Sequence, residues 1–285
     1  MTEIHLLEQL AAFAEYGTLS AAADNLHTSQ PALSRSMKKL ENDLGVSLFL
    51  RKKNQLKLNE TGIRAAEYAR RVLEADREFA LRIRAFDRSL HTLSIGFCAP
   101  IPQIVLTPIL NNVFDGMTVS ADMADDSGFL EKLEDETYQL AVMHFLPESS
   151  LFYGKKCGHE DLFISLDPGN PLAFYPEIHL KDLDGLSILL LSRIGFWANV
   201  HRDKTPNSHY LLQVESDSFA ELAANSSYPV FSSSYYIRRK ETLPGRMNIA
   251  IADPECHTDY YLICLASEKK KYKALFDLVT EHTIR

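Results

Sequence analysis

The feature that most constrains the fold is a change of sequence pattern near residue 90. Before it, apolar residues recur at intervals of three and four, the spacing that buries one face of an α-helix. From His91 onward, short strand-like runs alternate with helical ones, as in β-α-β units on a parallel sheet. A chain of 285 residues can hold a small helical domain and a larger α/β domain. The sequence therefore predicts a multidomain α+β protein.

Two short helices are predicted at the start of the chain. The first covers Ile4 to Tyr16, and Gly17 follows where a left-handed residue would end it. The second covers Ala21 to Leu26, with Ser20 as its predicted N-cap. The alanines of the second helix allow it to cross its neighbours closely.

A third helix is predicted between Ser29, its candidate N-cap, and Gly45, which ends it. Pro31 is tolerated in its first turn, where backbone N–H groups have no partner within the helix. The spacing predicts one polar face and one buried face, the latter made by Leu33, Met37, Leu40 and Leu44.

A two-stranded wing and a long helix follow. The strand candidates Leu48–Arg51 and Gln55–Leu58 flank a tip that is rich in lysine, and Asn59 can cap a helix from about Glu60 to Ser89. That helix carries a stripe at alternating steps of four and three, which predicts a homodimer because a lone helix would leave the stripe uncovered. The stripe comprises Ala65, Ala69, Val72, Asp76, Phe79, Ile83 and Phe86.

The charge is distributed unevenly along the chain. The formal net charge is −8, yet residues 28–71 contain ten Lys or Arg and only four acidic residues. A basic island on an acidic body is the footprint of a module that neutralises DNA phosphates. The pattern therefore predicts double-stranded DNA as a partner of the N-terminal region.

The first turns of the third helix are the candidate base-reading surface. Recognition helices read base edges with their first turns, where Gln can bond adenine and Arg can bond guanine bidentately. The wing is predicted to contact phosphates or a minor groove instead, which positions a domain without specifying sequence. The candidate DNA-binding residues are Ser29, Gln30, Pro31, Ser34, Arg35, Lys38, Arg51, Lys52 and Lys53. Lys38 and Lys39 can also be read as a solvated helix face.

Beyond residue 90, two α/β halves are predicted with a cleft between them. The first half has strands Leu93–Phe97, Met117–Met123 and Leu140–His144 and helices Ile101–Val113 and Gly128–Glu136. The second has strands Leu186–Leu191 and Tyr210–Val214 and helices near Gly195–His201 and Phe219–Ala224. Crossover segments are predicted near Asp161–Leu166 and Tyr260–Ala266.

These patterns predict a division of the chain by residue number. Residues 1–59 form a winged helix-turn-helix, residues 60–90 a linker and dimerisation helix, and residues 91–285 a two-lobed effector-binding domain. Lobe I covers about 91–161 and 266–285, and lobe II covers about 162–265.

Ligands of open α/β sheets bind beyond the carboxyl ends of strands, near helix N-termini. The residues at such places are Ala99, Pro100, Ile101, Ser127, His144, Ser192, Phe196, Trp197 and Ser216. Four of them have a structural alternative: Ser127 and Ser216 as helix caps, His144 as a core or rim histidine, and Trp197 as a packing residue. Arg193 is the one basic side chain nearby that suggests an anchor for an anion.

The segment Ala21–Gly45, followed by Leu48-Phe49-Leu50-Arg51 and Leu58–Gly62, closely resembles the DNA-binding domain of the LysR family. The run from Ser29 to Arg35, followed by Lys39-Leu40-Glu41, carries the resemblance. Asn170-Pro171-Leu172-Ala173 and Leu140-Ala141-Val142 resemble the family's effector domain more loosely. The chain departs from the family pattern at Gln139, where an acid is usual, and at Ser232-Ser233-Ser234, where a glycine-rich turn is common.

The resemblance implies a transcription regulator with a periplasmic-binding-protein-like effector domain. It implies a small-molecule effector in the cleft, frequently a carboxylate, and assembly as a homodimer or homotetramer. RNA polymerase is a further candidate partner, and no cofactor is expected. In the alternative interpretation, the C-terminal domain serves only oligomerisation and binds no ligand.

Two other classes of protein fit the sequence less well. An enzyme would need a nucleophile with a base, a metal set or a phosphate-binding glycine loop, and no such motif is found. The four cysteines form no CxxC pair and the ten histidines pair with nothing at metal-ligand spacing, so no metal site is expected. A secreted solute-binding protein would start with a basic n-region and an apolar h-region, and the acidic start here favours the cytoplasm with no membrane partner.

Overall fold

The computed structural model describes residues 2–285 except Lys53 and Asn54, and at residues 51, 52 and 55 it describes only the backbone. The chain forms two compact units, Met1–Arg84 and Ala85–Arg285. Among the described residues, no helix is long and apolar enough to cross a membrane.

The N-terminal unit is a three-helix cluster with a two-stranded wing. Its elements are α1 (Ile4–Tyr16), α2 (Leu19–Asn25), α3 (Gln30–Leu44), β1 (Phe49–Lys52), β2 (Gln55–Leu58) and the start of α4 (Glu60–Ser89). The apolar faces of these helices meet in one core, whose members include Leu6, Leu10, Phe13, Leu33, Met37, Leu40, Leu48 and Phe49. The predicted winged helix-turn-helix is therefore present.

Two local predictions in this unit are wrong. The N-cap of α2 is Thr18, whose Oγ1 accepts a hydrogen bond from Ala21 N at 3.2 Å, so Ser20 lies inside the first turn. Leu44 is 43% exposed because it is the last residue of α3, next to the left-handed Gly45 that ends the helix.

Side chains of α3 and of the residue before α4 fix the position of the wing. Glu41 Oε1 accepts hydrogen bonds from the backbone N–H groups of Leu48 and Phe49, at 2.8 and 3.2 Å. Asn59 Oδ1 caps α4 by accepting from Gly62 N at 2.7 Å, as predicted, while Asn59 Nδ2 donates to Ser47 O at 2.8 Å. These bonds explain why this part of the sequence carries Glu41 and Asn59.

The C-terminal unit contains the remaining strands and helices. Its strands are β3 (Thr92–Phe97), β4 (Thr118–Met123), β5 (Leu140–Met143), β6 (Phe152–Leu166), β7 (Glu177–Ile178), β8 (Ser187–Leu191), β9 (His209–Gln213), β10 (Val230–Ser233), β11 (Met247–Ile251) and β12 (His257–Leu265). Its helices are α5 (Pro100–Val113), α6 (Phe129–Glu134), α7 (Trp197–Lys204), α8 (Ser216–Asn225), α9 (Ser234–Arg239) and α10 (Lys273–Leu278).

Two parallel groups of strands are joined by two long crossover strands. The strand order is β4-β3-β5-β12-β6 on one side and β6-β10-β8-β9 on the other, so β6 is the strand that the two series share. Strands β3, β4 and β5 are mutually parallel, as are β8, β9 and β10, whereas β6 and β12 are antiparallel to each other and to their other neighbours. The predicted crossover near Asp161–Leu166 is the second half of the 15-residue strand β6.

Candidate DNA-binding and effector sites

Helix α3 presents a polar surface opposite its buried face. Leu33, Met37 and Leu40 are at most 1% exposed and anchor the helix in the core. Ser29 caps the helix by accepting from Ala32 N at 3.3 Å, and the candidate residues follow on the outer side. Ser29, Gln30, Pro31, Arg35 and Lys38 are exposed, and Ser34 is half-buried. The first turns of α3 are thus accessible to a duplex.

The basic side chains near α3 differ in their contacts. Arg35 Nε lies 3.4 Å from Pro31 O, a long contact one turn back along the helix. Lys39 Nζ instead pairs with Glu3 Oε1 at 2.7 Å, next to the start of α1. Of these side chains, Arg35 is the better candidate for base recognition, because Lys39 connects two helices of the unit.

The wing has the predicted form. Strands β1 and β2 are antiparallel, and Lys52 lies opposite Gln55 in their register. The predicted roles of Arg51 and Lys52 concern side chains outside the described atoms, and Lys53 at the tip lies outside the described residues. The assignment of these three residues to DNA stays a prediction.

In the C-terminal unit, the starts of α5 and α7 lie together. Phe196 N donates a hydrogen bond to Cys98 O at 2.8 Å, just before Ala99, which precedes α5. Ala99 is fully buried and Ile101 is 3% exposed. This contact brings together five of the candidate effector residues, Ala99, Pro100, Ile101, Phe196 and Trp197.

A cavity of about 350 Å³ opens beside this contact. Four predicted residues line it: Pro100, Ile101, Trp197 and Ser216. Most of the other lining side chains are apolar and come from β6, β8, β10 and α8, including Leu162, Leu189, Leu191, Phe219, Val230 and Phe231. We call this space the main cavity, because it holds more of the predicted effector residues than the other cavities described below.

The remaining predicted effector residues lie elsewhere. Ser192 lines a neighbouring cavity of about 300 Å³, which shares the lining residues Leu190, Leu191, Ile194 and His201 with the main cavity. His144 stacks on Phe196 with ring centroids 4.4 Å apart, and its Nδ1 lies 2.6 Å from Asp126 Oδ2. Ser127 is exposed, and its hydroxyl donates a hydrogen bond to Asp125, which is the residue that caps this turn. Ser216 is the first residue of α8 and makes no capping hydrogen bond. The alternative interpretation of Ser127 and Ser216 as helix caps is therefore wrong.

A buried carboxyl in the main cavity escaped sequence reasoning. Glu160 is 2% exposed, and the Tyr260 hydroxyl donates a hydrogen bond to its Oε2. Burial raises the pKa of Glu160 above its usual range, against the hydrogen bonds from Tyr260 and Ser233. Among the described residues, the cavity lining contains no Lys or Arg. In the sequence, Glu160 stands between His159 and Asp161, so that only the alternation of side chains along β6 distinguishes it as buried.

Gly195 allows the close contact between α7 and α5. Its φ is +63°, and a Cβ on it would lie 1.9 Å from Cys98 O. We expect Gly195→Ala to destabilise the C-terminal unit by about 3 kcal/mol, since a backbone shift is added to left-handed strain. Urea unfolding followed by the fluorescence of Trp197, the single tryptophan, measures this unit.

Gly185→Ala is the matched control for this prediction. Gly185 has a φ of +85°, but nothing lies within 4 Å of its added Cβ, so only the strain of about 1–2 kcal/mol applies. Equal losses in the two variants would contradict the close-contact explanation.

The burial of His201 predicts that the stability of the C-terminal unit depends on pH. It is 2% exposed and stacked on Phe231, with ring centroids 3.9 Å apart, and burial lowers the pKa of His201 from 6.5 to about 3. Because the unfolded chain takes up this proton below pH 6.5 and the folded chain does not, stability falls as the pH drops from about 6.5 to about 3. The expected loss is about 1.4 kcal/mol per pH unit from this group. His201→Gln should therefore flatten the acid side of the stability curve; parallel curves for the two proteins would refute this.

The structure also corrects the expectation that the histidines pair with nothing. His159 and His257, far apart in the sequence, both contact Asp161 Oδ1, at 2.7 and 2.8 Å. They belong to two His-x-Asp triplets, 159–161 and 257–259, on the antiparallel strands β6 and β12. The repeated triplet was the signal in the sequence, and it gains meaning only when the two strands are known to be neighbours.

A winged helix-turn-helix with an exposed polar recognition helix, together with an α/β body that encloses a cavity, defines a class of ligand-responsive DNA-binding proteins. The family model of bacterial regulatory helix-turn-helix proteins of the lysR family matches residues 4–63, and that of the LysR substrate binding domain matches residues 87–283. The chain belongs to the LysR family. The predicted family and fold class are confirmed.

Curated relatives agree with this assignment. The chain is 34% identical over 199 residues to the HTH-type transcriptional regulator TfdS of Cupriavidus pinatubonensis, covering 68% of this chain and 67% of that protein. It is 30% identical over 191 residues to the hydrogen peroxide-inducible genes activator of Dickeya chrysanthemi, covering 65% of this chain and 62% of that protein. The match thus spans less than two thirds of the Dickeya protein. These relatives are regulators, which supports a non-enzyme at the level of the family.

A solved structure shows the same fold over almost the whole chain. It is DarR of Vibrio fischeri, which was solved in complex with DNA. The TM-score is 0.51 at 17% identity, with 98% of this chain and 99% of that chain covered.

Proposed function

We propose that the protein is a sequence-specific DNA-binding transcription regulator whose activity is modulated by a small molecule. The observation that carries the proposal is the exposed polar face of α3, which is anchored by Leu33, Met37 and Leu40 in a unit that matches the family's helix-turn-helix. The DNA complex of DarR supports it by analogy of fold. The site of action is the cytoplasm, and RNA polymerase is a candidate partner.

The DNA contacts divide into two kinds. Ser29, Gln30, Ser34 and Arg35 in the first turns of α3 read bases, while the wing residues Arg51, Lys52 and Lys53 contact phosphates or a minor groove. Pro31 and Lys38 belong to the same surface. The proposed domain division is 1–59 for the winged helix-turn-helix, 60–90 for the linker helix and 91–285 for the effector-binding domain.

The protein assembles through α4 as a homodimer, or as a homotetramer built from such dimers. Three apolar residues of the predicted stripe, Val72, Phe79 and Ile83, are 44%, 66% and 54% exposed. A second copy of the same helix would cover them, as in a coiled coil. Two recognition helices in a dimer would read two half-sites about 10 bp apart or a multiple of that.

Selection of bound duplexes from a random pool tests this proposal. Full-length protein is expected to enrich a motif with two half-sites at that spacing. Enrichment of no motif would contradict sequence-specific binding, and enrichment of a single half-site would contradict the dimer.

The effector occupies the main cavity. Its lining is mostly apolar, with polar groups that include Glu160, Glu241, Ser216 and Ser232, which favours a mostly apolar molecule with a hydrogen-bonding end. The buried Glu160 favours a ligand that donates a hydrogen bond or carries a positive charge. A carboxylate stays a candidate class, but it would have to be accommodated beside this acid without a lysine or arginine among the described lining residues.

A thermal-shift screen of small molecules against the full-length protein tests whether there is an effector. A ligand of the folded state raises the melting temperature with its concentration. Ala220→Phe places a large side chain at the main cavity and should abolish the shift, whereas Ala224→Phe, on the same helix but away from the cavity, should retain it. A shift that is equal in both variants would place the ligand elsewhere; no shift with any compound would favour the alternative that the C-terminal domain serves only oligomerisation.

A further inference from the structure

Two neighbouring strands place a square of histidines and aspartates on one face of the sheet. His257 lies opposite Asp161, and Asp259 lies opposite His159, in the antiparallel register of β12 and β6. Because side chains alternate along a strand, these four share one face, whereas Glu160 between them points to the other. The two strands are the crossovers that connect the two parallel groups of the sheet.

Three donor atoms of this square converge. Asp161 Oδ1 lies 2.7 Å from His159 Nε2 and 2.8 Å from His257 Nδ1, and all three atoms lie within 4.8 Å of one another. Around a tetrahedral zinc ion, ligand atoms at normal bond lengths are about 3.3 Å apart, so each of the two distances from Asp161 Oδ1 would lengthen by about 0.5 Å on binding. All three side chains are partly exposed, so an ion can reach them from solvent. The exposed fraction is 23% for Asp161, 40% for His159 and 44% for His257.

The groups around the square are arranged like the outer shell of a metal site. His159 Nδ1 lies 2.9 Å from Asp259 Oδ1, the position of the carboxylate that commonly orients a metal-ligating histidine. Lys156 Nζ holds the other oxygen of Asp259 at 2.6 Å. Arg238 reaches the outer oxygen of Asp161 at 3.5 Å and leaves Oδ1 facing the histidines.

A cavity of about 640 Å³ lies over the same residues. Its lining includes His159, His257 and Asp259 of the square, but not Asp161, together with His144 and Phe196. A metal ion held by three protein ligands would thus have room for a water molecule or an exogenous ligand at its fourth position.

We propose that His159, Asp161 and His257 bind a divalent first-row transition metal ion, with Zn²⁺ as the representative. Neutral imidazole and carboxylate donors in this number suit such ions. Asp259 is a positioning residue, which orients His159 from outside the coordination sphere. A bound ion would connect β6 to β12 and so stiffen the crossover between the two groups of strands. The site is independent of the proposed DNA-binding function.

Calorimetric titration of the tag-free, full-length protein with Zn²⁺ tests the proposal. One equivalent per chain is expected, and each of His159→Ala and His257→Ala should weaken binding about 100-fold or more, because the loss of a ligand costs at least as much as the loss of an outer-shell partner. Asp259→Asn should weaken it about 10- to 100-fold while keeping the stoichiometry. His179→Ala is the matched control, because His179 also pairs with an aspartate, Asp253 at 3.2 Å, and should bind Zn²⁺ like the wild type.

A spectroscopic readout separates coordination from loss of folding. Co²⁺ should produce visible absorption bands of a low-symmetry site in the wild type and in His179→Ala, but not in the double variant His159→Ala/His257→Ala. Thermal unfolding of each variant without metal shows whether it is folded. Added Zn²⁺ should raise the melting temperature of the wild type but not that of the double variant. Stoichiometric binding that survives in the folded double variant, or no binding by the wild type, would show that the square is only a set of cross-strand ion pairs.

Discussion

Replacing Gly62 with alanine is expected to destabilise the N-terminal unit by about 3 kcal/mol and to remove DNA binding. A Cβ at this position would lie 2.1 Å from Leu48 O and 2.9 Å from Leu58 Cδ2. The close contact is backbone against backbone, so rotation of a side chain cannot relieve it. The wing would have to move away from α4. This movement would disturb Asn59, which caps α4 and also bonds the backbone of Ser47.

Two signals resolve this effect within the full-length protein. Trp197, the single tryptophan, belongs to the C-terminal unit, so its fluorescence in urea should be unchanged by Gly62→Ala. Circular dichroism at 222 nm should show earlier loss of helix from the N-terminal unit. Gly45→Ala is the control: Gly45 has a φ of +69° but nothing within 4 Å of an added Cβ, so about 1–2 kcal/mol is expected. If Gly62→Ala costs no more than Gly45→Ala, the close contact is not what requires the glycine.

Arg35→Ala is expected to reduce the preference for operator over random duplex about 10- to 100-fold. The estimate corresponds to the loss of one bidentate contact with guanine, worth about 1–3 kcal/mol. Arg35 is exposed on the polar face of α3, and its backbone is held in place by the buried Leu33 and Met37 on the other face. The substitution should therefore leave the fold of the unit intact.

Lys52→Ala provides the comparison for Arg35→Ala. A phosphate contact adds affinity without sequence information, so this variant should weaken binding to both duplexes alike and reduce the salt dependence. Titration of both variants against operator and scrambled duplex, by fluorescence anisotropy at several salt concentrations, measures both effects. Equal losses on the two duplexes in both variants would contradict the division into base-reading helix and phosphate-binding wing.

The N-terminal unit could be predicted closely from the sequence because its signals are local. Gly17 and Gly45 end helices where predicted, and Asn59 caps α4, which runs from Glu60 to Ser89 as expected. The two errors, Ser20 and Leu44, lie at helix ends. Near a helix end, several Ser or Thr residues compete as caps, and an apolar residue can fall outside the buried stripe.

The C-terminal unit was less predictable because its central strands depend on distant partners. The parallel strands β3 and β8 are short apolar runs and appear at the expected residues. Strand β6 is 15 residues long and changes partners halfway, from β12 to β10 and β11, which no local pattern reveals. The strands β10 and β11 were missed for the same reason.

The candidate sites divide in the same way. The proposed base-reading residues follow one another on a single helix, so periodicity and capping were enough to propose them from the sequence. The main cavity gathers side chains from several elements, and Glu160 lies beside the lining residues of β10 because β6 pairs with β10. The His-x-Asp triplets likewise become neighbours only through the pairing of β6 with β12, which explains why the sequence suggested no histidine cluster.

The central claim is that the chain binds specific DNA, and the most direct test is binding to the duplex just upstream of its own coding sequence. Regulators of this family often act on a neighbouring promoter, which makes that duplex the first choice. Full-length protein should bind it more tightly than a scrambled duplex of equal length, and the affinity for both should fall as salt rises. Equal, weak binding to both duplexes would contradict an operator at that place, and no binding to either duplex at low salt would contradict the assignment of α3 and the wing as a DNA-binding surface.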